Sequence, residues 1–137
     1  MLDLGFQVLA MGVRSVRGKM KNWKGVWIIA VSIMHTLFAL NGFNPVYQKM
    51  LSDGVIGSVN SLESGLAAWF FLFGILMFAL GLMIYFYEKQ AHQIPKSIAF
   101  TLLVLTVLGA AMMPVSGFWL LFPPVLAMFY SRTGIEN

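Results

Sequence analysis

Residues 98–130 read IAFTLLVLTVLGAAMMPVSGFWLLFPPVLAMFY, 33 positions without a charge. How this run divides decides the fold. As a single helix it would be about 50 Å long, at about 1.5 Å per residue. That exceeds the roughly 30 Å of hydrocarbon in a bilayer. The stretch MMPVSGF supplies a break, because Pro114 ends a helix and Ser116-Gly117 permits a tight turn. The run therefore reads as two short apolar helices, 97–113 and 116–131, joined in a hairpin. Pro123-Pro124 should kink the second helix or begin it anew. A re-entrant pair that does not fully cross is the alternative.

Working outward, two further segments have the length and apolarity of a span: 23–43, with Lys24 at its edge, and 65–87, with no charge. The expected fold is all-α: an integral-membrane four-helix bundle spanning 23–43, 65–87, 97–113 and 116–131. Composition agrees. The chain of 137 residues is 59% hydrophobic and 10% charged, whereas a soluble domain carries about 25% charged residues. The absence of cysteine excludes disulfides and thiolate metal sites.

The net charge of +4 is distributed as topology requires. With the N-terminus in the cytoplasm, eight of the nine basic residues fall inside: Arg14, Arg17, Lys19, Lys21, Lys24, Lys89, Lys96 and Arg132. Only Lys49 falls outside. Both termini are then cytoplasmic, and nucleic acid is not an expected partner. Aromatic belts follow the same scheme, with Trp23 and Trp27 at the inner interface and Trp69 and Trp119 towards the outer one.

Residues 1–22 do not read as a signal peptide. Leu2, Phe6, Leu9, Val13, Val16 and Met20 share one helical face. With Arg14, Arg17, Lys19 and Lys21 they suggest an amphipathic helix on the cytoplasmic leaflet, held by anionic lipid. Residues 23–131 form the membrane domain and 132–137 a cytoplasmic tail. Between the first two spans, Asn44-Pro45 reads as a helix start and Asp53-Gly54 as a stop. NSLE at 60–63 reads as a capping box, with Asn60 at the N-cap and Glu63 at N3.

His35 stands out, an imidazole within VWIIAVSIMHTLFAL (26–40). An ionisable side chain at mid-membrane is costly and suggests function. Gly25, Ser32 and Ala39 recur every seven residues beside it, and Ala67, Gly74 and Gly81 do so in the second span. Small-residue stripes let helices approach closely, within one chain or across a homodimer. His35 is thus expected in a helix interface, bonded to Thr101, Thr106, Ser32 or a backbone carbonyl. The candidate ligand-binding set is His35, Ser32, Thr36, Trp69, Thr106, Ser116 and Trp119. No acidic residue lies within the spans as drawn, which argues against proton-coupled export. No metal is expected, and no haem either, since His92 lies far in depth from His35.

Three functions are compatible with these residues. The first is binding of a lipid-like ligand or membrane partner at a seam centred on His35. The second is intramembrane acid–base catalysis, isomerase-like, by His35 with Glu63. The third is an oligomeric channel or transporter.

The ordered set Trp23, His35, Asp53-Gly54-Val55, Trp69-Phe70, Gly74, Gly81, Ile94-Pro95 and MPVSGFW (113–119) resembles an uncharacterised family of small four-helix bacterial membrane proteins. The resemblance covers about residues 23–130 and is most specific at MPVSGFW. It implies topology and bacterial origin, and no activity.

Overall fold

The computed structural model describes residues 22–90 and 92–130. The amphipathic segment expected over 1–22, its four basic residues and the tail 132–137 lie outside the described residues, Asn22 excepted. Among the described residues every regular element is helical. The elements are α1 (Trp23–Gly42), α2 (Asn44–Ser52), α3 (Leu62–Lys89), α4 (Lys96–Met112), a 3-10 turn (Gly117–Leu121) and α5 (Phe122–Phe129).

Two of these, α1 with 20 residues and α3 with 28, are long and apolar enough to cross a membrane. The third and fourth expected spans are shorter. Helix α4 has 17 residues, and the segment expected as one helix over 116–131 is a five-residue 3-10 turn followed by eight residues of α-helix. The cause lies in the sequence: Pro123-Pro124 fits only the first turn of an α-helix, so α5 begins anew there.

Other boundaries follow local chemistry. Helix α2 begins at Asn44-Pro45 and stops before Asp53, and Gly54 then takes a φ of 94° that favours glycine. Helix α4 stops at Met112, ahead of Pro114. The capping box of α3 is one residue later than NSLE implies. Ser61 is the N-cap and accepts from the Ser64 N–H at 3.1 Å, while the Ser64 hydroxyl accepts from the Ser61 N–H at 3.0 Å. Glu63 is left exposed, because the Ser64 side chain does the work assigned to it.

Helices α1 and α3 pack antiparallel with very close backbones. A Cβ on Gly25 would collide with the backbone of Tyr85, and one on Gly74 with the Thr36 hydroxyl. At Gly81 a Cβ would sit 2.8 Å from Ile29 Cγ1 and 3.0 Å from its backbone nitrogen. The two small-residue stripes therefore face each other inside one chain, with Ala39 and Ala67 fully buried along them.

The hairpin of α4, the 3-10 turn and α5 packs on α1 through its second arm. Its apolar core joins Ala99, Leu121, Val125 and Met128 to Ile28 and Val31 of α1 and to Met77 and Ile84 of α3. The Trp27 indole N–H donates to the Leu120 carbonyl at 2.8 Å. The sequence places Trp27 and the neighbouring Trp119 at opposite interfaces; this bond brings their segments together. Leu120 lies only three residues past Gly117, about 6 Å of 3-10 rise. The tip of the hairpin thus stays well short of the far end of α1.

Candidate functional site

The α1–α3 seam holds two polar stations. The first is at the start of α1. The Lys24 ammonium lies 3.0 Å from Glu88 Oε1, and the Gly25 N–H donates to Glu88 Oε2 at 3.0 Å. Glu88 is 5% exposed. The first N–H groups of any helix lack intrahelical acceptors. Asn22 occupies the N-cap of α1 but makes no side-chain cap bond, and its Oδ1 is buried without a partner. The cap is supplied instead by a carboxylate from another helix, where the helix dipole also favours negative charge.

Sequence reasoning missed Glu88 because the second span was drawn to end at residue 87, whereas α3 runs on to Lys89. The signal was present. Ala67, Gly74 and Gly81 recur every seven residues, and the next step is Glu88. With Lys24 at the matching end of an antiparallel neighbour, the pair is readable.

The second station is His35. Its Nε2 lies 3.2 Å from the Phe70 carbonyl oxygen. A carbonyl has no proton to give, so Nε2–H is the donor. The ring is half-buried, stacked on Phe70 with centroids 5.0 Å apart and 10° between planes, and set edge-on to Phe73 at 5.6 Å. The aromatic line continues from Phe70 to Phe43 and on to Tyr47. Tyr47 fastens α2 to α3 by donating its hydroxyl to the Ala67 carbonyl at 2.7 Å. Burial pushes the Tyr47 phenol above its ordinary value. Thus α2, α3 and the end of α1 hold His35 in place through packed rings and one backbone hydrogen bond.

The remaining expected site residues are dispersed. Ser32 donates to the Ile29 carbonyl, Thr36 to the Ser32 carbonyl and Thr106 to the Leu102 carbonyl. These hydroxyls satisfy themselves on their own helices. Thr36 lies against Gly74, as does the His35 ring. Trp69 projects exposed from α3. Ser116 accepts from the Phe118 N–H at the start of the 3-10 turn. Trp119 donates to the Pro114 carbonyl at 2.8 Å and stacks on Phe122, which braces the turn. Glu63 and His35 do not form a pair. Glu63 is exposed in the first turn of α3, and Phe70, the contact of His35, is seven residues or about 10 Å further along the helix.

Among the described residues no three His, Asp or Glu side chains gather as a metal site. His92 stands edge-on to Tyr87 at the other end of α3.

The surroundings of His35 change sharply along α1. Val31, four residues before it, is 8% exposed, in the apolar core shared by α1, α3 and the hairpin. Phe38, two turns after Val31 on the same side, is 69% exposed, and Met34 is exposed between them. Burial on this side of α1 thus gives way around His35 to an open apolar step.

A family described as being of unknown function (DUF6463) matches residues 19–134. No curated protein and no solved structure matches the chain.

Proposed function

The chain belongs to that family of unknown function, and from its own residues we propose a small multi-pass membrane protein that holds a lipid-like, apolar ligand on the step beside His35. In this reading α1 and α3 are full spans, with both termini on the cytoplasmic side. The short hairpin rises from that side, covers the inner part of the α1–α3 pair and turns back before the outer interface. The re-entrant form is favoured over four full spans because Trp27, about 6 Å into α1, bonds Leu120 next to the tip of the hairpin.

The observation that carries the reading is the jump in exposure from Val31 to Phe38 with His35 between them. In a bilayer this step faces acyl chains, and a polar ring sits at its edge. A structural histidine alone needs no such opening. An acid–base pair with Glu63 gains no support from the geometry, since the two residues are held apart.

Mass spectrometry of protein purified in mild detergent tests the reading. One apolar molecule per chain should survive detergent exchange. Protein that exchanges free of all such molecules would rule the ligand out. An absorption spectrum of the same sample reads out any coloured cofactor.

A further inference from the structure

We infer that the ligand beside His35 is a neutral lipid bearing a free hydroxyl, which donates its proton to His35 Nδ1. This deepens the ligand-binding reading above and rests on it. The neutral imidazole has one donor and one acceptor nitrogen. Nε2–H is committed to the Phe70 carbonyl, so the acceptor is Nδ1. No described residue donates to Nδ1. The one fully buried side-chain nitrogen or oxygen without a partner among the described residues is Asn22 Oδ1. Nδ1 is therefore not sealed inside the protein, and the half-buried ring that carries it stands on α1 between Val31 and Phe38.

An unpaired acceptor facing hydrocarbon is unfavourable, and a hydroxyl satisfies it. Hydroxyls of the protein do not serve, because Ser32, Thr36 and Thr106 donate to their own helices. An ether or ester oxygen does not serve either, since it has no proton to give. Among the described residues α1 offers an anionic headgroup no counter-charge beside His35, since its lysine, Lys24, is about three turns away and paired with Glu88. Chemistry thus selects an apolar body, no charge and one O–H.

The test is native mass spectrometry of the full chain in mixed micelles holding equal amounts of oleyl alcohol and oleyl methyl ether. The alcohol adduct should exceed the ether adduct by roughly three- to tenfold, the scale of one neutral hydrogen bond. His35→Leu removes both ring nitrogens and with them the acceptor, so the alcohol and ether adducts should become equal. Equal adducts in the wild type would overturn the hydroxyl inference and leave the apolar site standing. Absence of both adducts would overturn both readings. A preference that persists in His35→Leu would place the recognition elsewhere and overturn the assignment. In wild-type protein labelled with nitrogen-15 histidine, the acceptor nitrogen signal of His35 should move with the alcohol and stay fixed with the ether. This second measurement decides the matter even where the variant does not fold.

Discussion

At the scale of single residues, the polar groups between α1 and α3 act at two stations, Lys24 with Glu88 and His35 with the Phe70 carbonyl. Lys24 and Glu88 show why position matters more than number. Removing one member of a buried pair strands the other charge, which costs about 3–5 kcal/mol. Lys24→Met should therefore lower stability by about that amount in a detergent unfolding titration. Glu88→Gln should cost less, because an amide oxygen still accepts from the Gly25 N–H. His35→Leu should cost roughly 0.6–2 kcal/mol, the scale of an interhelical hydrogen bond in lipid. Tyr47 gives a pH signature. Its phenol is raised by burial, so the neutral form is the native one. The stability it contributes is complete below about pH 10, the ordinary tyrosine value, and is lost as pH rises through the raised value. Tyr47→Phe should remove this alkaline sensitivity from a melting profile, together with the bond to Ala67. The role of His35 as an interface residue was legible in the sequence, and a backbone carbonyl was among its expected partners. Phe70 as that partner was not legible, since periodicity places a residue on a face and says nothing of which carbonyl the ring will reach.

At the scale of elements, the glycines of α1 and α3 differ in what they permit. Gly81→Ala would press a methyl group against Ile29 and should destabilise by about 1–3 kcal/mol, as overpacking does. Gly42→Ala meets open space at the end of α1 and should stabilise by about 0.5–1 kcal/mol through helix propensity. Thermal melts of the two variants should move in opposite directions. The stripes were legible because helix packing in lipid writes small residues at a fixed spacing. Their mutual pairing was not, since the same stripe suits a homodimer equally well. Breaks at Pro114 and Pro123-Pro124 were legible from backbone chemistry alone. The capping box was misplaced by one residue, because Ser61 and Ser64 outcompete Asn60 and Glu63 with shorter side chains.

At the scale of the whole molecule, the open question of sequence reading was how far the last hairpin travels. Hydropathy measures how greasy a segment is and not how deep it sits, so 33 uncharged residues fit two spans or one re-entrant loop. The bond from Trp27 to Leu120 links segments 93 residues apart, a relation no local pattern encodes. Single-cysteine variants labelled with a membrane-impermeant maleimide should react from outside at position 53 and from the cytoplasmic side at position 92. Position 115, at the exposed tip of the hairpin, should resist labelling from outside; ready labelling there would establish a hairpin that crosses completely. The clasp between Lys24 and Glu88 also bears on the birth of the protein. Its two partners are 64 residues apart, and synthesis proceeds at about 5–20 residues per second. Glu88 is therefore made roughly 3–13 seconds after Lys24, and the insertion machinery must hold the glycine-lined side of α1 until α3 arrives to claim it.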